Sequence, residues 1–296
     1  MEGRIIKGVG GLYTVADKDF STYECVLRGK FRNNNVVPLV GDWVEFQADN
    51  QGKYVIERVF EKKNSLIRPA VANIDILFIV VSTFDPVPNL FVIDKTIAVA
   101  VHKNIEPIIV ITKTDLCSND ETLEIYQKSG FKTVVTNIAT GEGIDEFKSL
   151  ITGKICAVTG NSGVGKSTLL NKVAPELSLS TSQTSKKLGR GRHTTRHVEL
   201  FSINGGYIAD TPGFSAVDIE KYDVILKDDL EFCFPEFKKY IGECKFTSCS
   251  HTSEKGCAII KAVEEGEIQK TRFESYVSLY NEVKDIKEWE VNRDRK

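Results

Sequence analysis

Gly160-Asn161-Ser162-Gly163-Val164-Gly165-Lys166-Ser167 fits the pattern G-x-x-x-x-G-K-[ST]. That spacing has a chemical meaning. Glycines at 160, 163 and 165 let backbone N–H groups turn toward phosphate oxygens, and a helix starting just beyond adds the positive end of its dipole. In such a loop Lys166 reaches the β- and γ-phosphates and the Ser167 hydroxyl ligates Mg²⁺. Asn161, Ser162, Val164 and Thr168 complete the cradle. The alternative, a chance glycine-rich turn, is disfavoured by what flanks the motif. Lys154–Thr159 reads as a short buried strand and Thr168–Val173 as the start of a helix, the context that a phosphate-binding loop requires.

Two more short patterns point to the same chemistry. Thr112-Lys113-Thr114-Asp115 follows the apolar run Pro107–Ile111 and matches [NT]-K-x-D. A carboxylate at Asp115 can accept hydrogen bonds from guanine N1–H and the N2 amino group. Adenine offers no such pair, so a site built around those bonds leaves Asp115 unpaired with the wrong base. The Lys113 stem can lie along the base plane. K-x-D alone is weak, but its place at the C-terminal end of a strand is where α/β sheets bind ligands. The third pattern, Asp210-Thr211-Pro212-Gly213, ends the strand Tyr207–Ala209 and matches D-x-P-G. Here Asp210 would hold Mg²⁺ through a water and the Gly213 N–H would meet the γ-phosphate. In isolation it would be an ordinary turn; about fifty residues after a phosphate loop it is more.

A different chemistry is written between residues 244 and 257. Cys244, Cys249, His251 and Cys257 form C-x4-C-x-H-x5-C. Three thiolates and an imidazole suit a closed tetrahedral zinc site, structural rather than catalytic, one ion per chain. The competing reading is a redox cysteine pair with no metal.

These residues must be positioned by folded elements, and the chain supplies three kinds in turn. Residues 1 to about 63 contain five short runs rich in β-branched and aromatic residues: Arg4–Val9, Leu12–Asp17, Tyr23–Arg28, Trp43–Ala48 and Tyr54–Val59. Gly- and Asn-rich turns separate them, which predicts a small five-stranded OB-type barrel. Arg28, Lys30 and Arg32 stand together near a strand end as a candidate RNA contact, against the commoner solvated face. From Asn64 the pattern becomes α/β. Ile74–Val81 is a nearly unbroken apolar run, then come helical periodicity over Leu90–Val101, the strand Pro107–Ile111, a helix Glu121–Ser129, a strand Thr133–Thr136 and a helix Ile144–Leu150. The expected divisions are 1–63, a barrel that binds RNA; 64–218, a nucleotide-binding α/β domain; and 219–296, a helical zinc-binding domain. In the last, Ala258–Glu265 makes one helix and Phe273, Tyr276, Val277, Tyr280, Val283 and Ile286 form the apolar stripe of another.

Bulk properties restrict the reading without deciding it. The 296 residues are 41% hydrophobic and 27% charged, with formal charge −2, so nucleic-acid binding must rest on local patches. No apolar run is long enough to span a bilayer and no signal peptide opens the chain, so a cytoplasmic protein without a membrane partner is expected. Seven cysteines in that setting argue against a disulfide framework.

The order of the motifs is informative. Ordinary GTPases run phosphate loop, first switch, D-x-P-G, then [NT]-K-x-D; here T-K-T-D comes first and D-x-P-G last, so the chain reads as a circularly permuted P-loop GTPase. Permuted order, N-terminal barrel and cysteine cluster together resemble the small-subunit-dependent ribosomal GTPases of the RsgA/YjeQ type over essentially the whole chain. Further matches are Arg28-Gly29-Lys30, Val40-Gly41-Asp42-Trp43-Val44, Asn64-Ser65-Leu66-Ile67-Arg68-Pro69 and Gly189-Arg190-Gly191-Arg192-His193-Thr194-Thr195. Thr112 departs from the more usual Asn. Asn137-Ile138 stands where Ser-Ala is usual in the segment whose backbone meets guanine O6.

The resemblance implies a GTPase that binds the small ribosomal subunit and its rRNA, binds GTP and GDP and acts late in subunit assembly; a monomer is expected, though the sequence does not give the oligomeric state. Residues 175–198 occupy the first-switch position, where Thr194 or Thr195 closes on Mg²⁺; Thr195 is preferred, though spacing does not decide. Phe214 follows D-x-P-G where many GTPases place a water-orienting Gln, so His193 is the candidate for activating water, while Lys166 serves catalysis by stabilising charge on the phosphates. The alternatives are a GTP-gated rRNA-binding module in which hydrolysis is incidental, and an ATP-using nucleic-acid protein.

Overall fold

The computed structural model describes residues 1–29, 31, 37–67, 69–117, 120–175, 198–210 and 223–287. The switch residues His193, Thr194 and Thr195, the segment Thr211-Pro212-Gly213-Phe214, and Lys30 and Arg32 lie outside them. The strands in chain order are β1 (Glu2–Val9), β2 (Leu12–Ala16), β3 (Thr22–Leu27), β4 (Trp43–Ala48), β5 (Tyr54–Val59), β6 (Ser65–Leu66), β7 (Val71–Ala72), β8 (Ile76–Ser82), β9 (Glu106–Thr112), β10 (Lys132–Val135), β11 (Ile155–Thr159), β12 (Glu199–Ile203) and β13 (Gly206–Asp210). The helices are α1 (Leu90–His102), α2 (Asp120–Lys128), α3 (Ile144–Ile151), α4 (Lys166–Val173), α5 (Lys227–Leu230), α6 (Ala258–Glu264) and α7 (Lys270–Val283). Two one-turn 3₁₀ segments, Glu231–Cys233 and Pro235–Phe237, follow α5.

The chain divides into two compact units. The first takes in Met1–Leu77, Ile144–Thr159 and Lys166–Phe214. Its first five strands close on themselves. β1 pairs with β2 and β4, β2 with β3, β3 in parallel with β5, and β5 with β4. Ile5, Val15, Cys25, Val44, Phe46 and Ile56 fill the interior, each on the inward side of an alternating strand. This is the expected OB-type barrel. Arg28 stays exposed, with its guanidinium beside the Glu57 carboxylate, a surface pair of the kind worth little energy.

The Val40–Val44 motif turns out to be structural. Gly41 has φ of 97°, and a Cβ there would sit 2.1 Å from the Ala72 carbonyl oxygen, so only glycine fits. The buried Asp42 carboxylate accepts the Leu39 N–H at 2.8 Å, and burial raises its pKa despite Lys62 and Arg4 nearby. Asn64 is likewise structural: its amide donates to the Ile74 carbonyl and accepts the Ile74 N–H, both at 2.8 Å. β12 and β13 form a hairpin whose turn residues Asn204 and Gly205 both have positive φ, as a tight two-residue turn requires. β12 touches β1 through the register pair Lys7↔Glu199, and β13 runs parallel to β11.

The second unit holds Phe78–Gly143, Gly160–Gly165 and Ser215–Lys296. Its strand order is β10-β9-β8, with β9 and β10 parallel. Every residue of β8 is buried, which explains its unbroken apolar sequence. α1 buries Ile93, Ile97, Ala98 and Val99, and α7 packs against it.

The buried face of α7 differs from the stripe expected from sequence. It consists of Arg272, Ser275, Tyr276, Leu279 and Val283, while Phe273, Val277, Tyr280 and Ile286 are only half-buried. The shift follows from Arg272, a fully buried cation. Its Nη1 donates to Asp94 on α1 at 2.9 Å and its Nε to Glu236 at 2.7 Å. The Tyr126 hydroxyl donates to the same Asp94 carboxylate at 3.0 Å, and the guanidinium stacks 4.6 Å from the Phe234 ring centre. Burial alone would lower the Arg272 pKa; Asp94 and Glu236 more than reverse it, so the net shift is upward. The described C-terminal residues thus pack on α1 around a buried charge as well as apolar side chains such as Leu279 and Val283.

Candidate nucleotide site and metal centre

The second unit brings two of the sequence motifs into contact. Thr112 ends β9 and is buried, and its hydroxyl lies 2.6 Å from the Val164 carbonyl oxygen of the glycine loop and 3.2 Å from that of Val81. One proton serves one strong bond, so the shorter is the anchor. A hydroxyl one carbon from the backbone is the right length for this contact, which accounts for Thr where Asn is more usual. The loop's conformation rests on its glycines. Gly160 has φ of 145° and a Cβ there would meet the Val80 carbonyl oxygen at 2.4 Å. Gly163 and Gly165 have φ of 86° and 101°, where a side chain is strained.

Residues 82–88 lie between the two motifs. The Ser82 hydroxyl donates to the Pro86 carbonyl at 2.7 Å, and Thr83 donates to the Lys113 carbonyl at 2.8 Å. The Lys113 ammonium meets the Asp85 carbonyl. Lys113 itself has φ of 61°, which bends the chain so that Asp115 is exposed two residues on. A shallow apolar cleft lined by Val81, Pro86, Val92, Thr96, Gly160 and Val164 adjoins the loop.

In the segment Asn137–Gly141, the Asn137 side-chain oxygen accepts the Ala139 and Thr140 N–H groups at 2.9 and 3.1 Å. It thereby holds the turn that a Ser would hold less fully. Gly143 is required here, because a Cβ would stand 1.9 Å from the Val135 carbonyl oxygen.

Lys166 opens α4, directly after Gly165, and burial brings its ammonium down to about 8. A half-buried cation whose charge is disfavoured in this way is poised to gain from an anion. Ser167 and Thr168 follow in the first turn of α4. β11 and β13 run parallel, with Ala157 opposite Ala209, so Thr159 and Asp210 finish at one edge of that pairing. Of Asp210 only the backbone is described. His193, Thr195 and Gly213 lie outside the described residues.

Cys244, Cys249, His251 and Cys257 place their ligand atoms within 4.8 Å of one another. The His251 Nδ1 is 3.4 Å from both the Cys244 and Cys257 sulfurs, and those sulfurs are 3.8 Å apart. A tetrahedral ion with Zn–S of about 2.3 Å and Zn–N of about 2.0 Å requires S···S and S···N edges of about 3.8 and 3.5 Å, so the residues fit. Burial pushes the Cys249 and Cys257 thiols up; a divalent cation reverses that by displacing their protons. The Ala258 N–H points at the Cys244 sulfur at 3.3 Å. The Glu254 carboxylate gathers the N–H groups of Ser250, Thr252 and Ser253 at 2.7–3.0 Å, shaping the loop that presents His251. Glu254, Glu231, Asp94 and Arg272 all escape a motif reading. Their only sequence signal is charge in a segment that must fold tightly.

Two family models match the chain: the RsgA N-terminal domain over residues 2–56 and the RsgA GTPase over residues 59–220. The small ribosomal subunit biogenesis GTPase RsgA of Bacillus anthracis is 44% identical over 292 residues, spanning 97% of this chain and 98% of that protein. The protein of the same name from Streptococcus pneumoniae is 42% identical over 288 residues, spanning 97% and 96%. The crystal structure of YjeQ from Thermotoga maritima superposes with a TM-score of 0.82 at 35% identity, covering 97% of this chain and 99% of that one. That of YloQ, described as a circularly permuted GTPase, gives 0.80 at 34% identity, covering 97% and 96%.

Proposed function

Since the chain belongs to the RsgA GTPase family, we propose that it binds the small ribosomal subunit and hydrolyses GTP to GDP and phosphate there, late in subunit maturation. The observation that carries the reading is the 2.6 Å contact between Thr112 and Val164. It ties the base-selecting motif to the glycine loop, so one guanine nucleotide can span both.

In this reading Asp115 accepts the two guanine N–H groups, and Thr112, Lys113 and Thr114 hold the strand end that presents it. The amides of Gly160 to Thr168 and the Lys166 ammonium stabilise charge as it builds on the γ-phosphate. Ser167, Thr195 and Asp210 would hold a Mg²⁺ ion, which would supply charge neutralisation at the phosphates. The Gly213 N–H meets the γ-phosphate. His193 orients the attacking water, because Phe214 offers no hydrogen bond. Cys244, Cys249, His251 and Cys257 hold one structural Zn²⁺. The protein acts as a monomer in the cytoplasm, and its rRNA contacts come from the barrel, the first switch and the metal-binding region.

Hydrolysis of GTP by the purified protein, measured with and without small ribosomal subunits, tests the proposal. Strong stimulation is expected. Turnover unaffected by subunits would instead favour a GTP-gated rRNA-binding module. Loss of stimulated turnover in His193→Ala, with nucleotide binding kept, supports its role; unchanged turnover removes it.

A further inference from the structure

His251 has two ring nitrogens and both are engaged. Nδ1 faces the sulfurs of Cys244 and Cys257, and Nε2 stands 2.7 Å from a carboxylate oxygen of Glu231. The imidazole is buried at 3% exposure, and its backbone is held in the left-handed region at φ of 57°. The ring is therefore clamped from both edges. A carboxylate can only accept, so the proton on Nε2 is donated to Glu231 and the lone pair is left on Nδ1, aimed among the thiolates.

From this geometry we infer that Glu231 is a positioning residue of the metal centre. It fixes the His251 tautomer so that Nδ1 is the ligand atom, and it strengthens that nitrogen as a donor. The inference rests on the reading of the cysteine–histidine cluster as a zinc site. Glu231 opens the 3₁₀ turn Glu231–Cys233, and Cys233 and Phe234, which follow it, are buried, so the carboxylate is presented from packed backbone. Glu236, five residues on, takes Arg272 on α7. One short segment thus supports the metal ligand on one side and the buried ion cluster on the other. Carboxylates that accept from the far nitrogen of a ligating histidine are worth about 10–100-fold in metal affinity.

The test uses the full-length chain loaded with Zn²⁺, as wild type, Glu231→Gln and Glu231→Ala, titrated with a chromogenic zinc chelator. Glu231→Ala should lose zinc about 10–100-fold more readily, whereas Glu231→Gln, whose amide oxygen still accepts from Nε2–H, should recover most of that loss. Retention by the Ala variant equal to wild type, or equal weakening in Gln and Ala, would overturn the inference. Wild-type protein that takes up no zinc would instead remove the metal reading itself. If Glu231→Ala does not fold, long-range nitrogen–proton NMR of zinc-loaded wild type decides. A protonated Nε2 with a metal-shifted Nδ1 supports the assignment, and metal on Nε2 sinks it.

Discussion

Asp115 is exposed at the end of a bend imposed by Lys113, and its proposed task is selective hydrogen bonding. Asp115→Asn places an N–H₂ donor where two acceptor bonds are needed. Hydrogen bonds to a charged group contribute about 1.5–3 kcal/mol, so GTP affinity should fall by at least about tenfold. Xanthosine triphosphate, with an acceptor at the changed base edge, should bind better than to wild type. Titration of wild type and Asp115→Asn with both nucleotides reads this directly.

Lys166 makes a second residue-level prediction. Its folded pKa is lowered to about 8 by burial, below the ordinary lysine value, so in the nucleotide-free protein the charge is lost as pH rises through 8. A bound phosphate favours the charged form. Binding should therefore take up protons near pH 8 and weaken above it, which calorimetry in buffers of different ionisation enthalpy would detect. No proton uptake at that pH would contradict the lowered value.

At the scale of elements, legibility follows locality. The strand–loop–helix around Gly160–Ser167 and the strand ending at Thr112 were readable because each motif lies within about ten residues and its spacing is its geometry. The barrel strands were readable to within a residue or two from alternation and turns. The Val40–Val44 motif was visible, but its reason was not, because Gly41 is dictated by Ala72, distant in sequence. Gly41→Ala forces a side chain into the Ala72 carbonyl 2.1 Å away at φ of 97°. The strained backbone alone costs about 1–3 kcal/mol, and the collision adds to it. Chemical denaturation should show that loss, whereas Gly52→Ala, with nothing within 4 Å of its added carbon, should lose less.

At the scale of the molecule, the buried Arg272 cluster was illegible for a physical reason. The partners Arg272 and Asp94 are 178 residues apart, and a charge breaks the apolar stripe by which helices are read. Removing one member of such a cluster leaves the others dry and unpaired, at about 3–5 kcal/mol. Arg272→Met should accordingly lower the stability of the full chain by about that much. Pairing it with Asp94→Asn and Glu236→Gln should restore a large part, since the stranded charges go with it. A triple variant no more stable than the single would argue against the electrostatic account. The cysteine–histidine cluster, by contrast, was legible almost whole, because its four residues, which could hold a metal ion, fall within residues 244–257.

The arginine clamp also limits how the protein can be taken apart. A shortened version that stops near residue 218 would keep every nucleotide motif yet strip the counter-ion from Asp94 on a helix packed beside the glycine loop. Such a fragment is a poor stand-in for the intact enzyme. A loss of GTP turnover in it would mix the effect of a bared carboxylate on α1 with any duty of the missing tail.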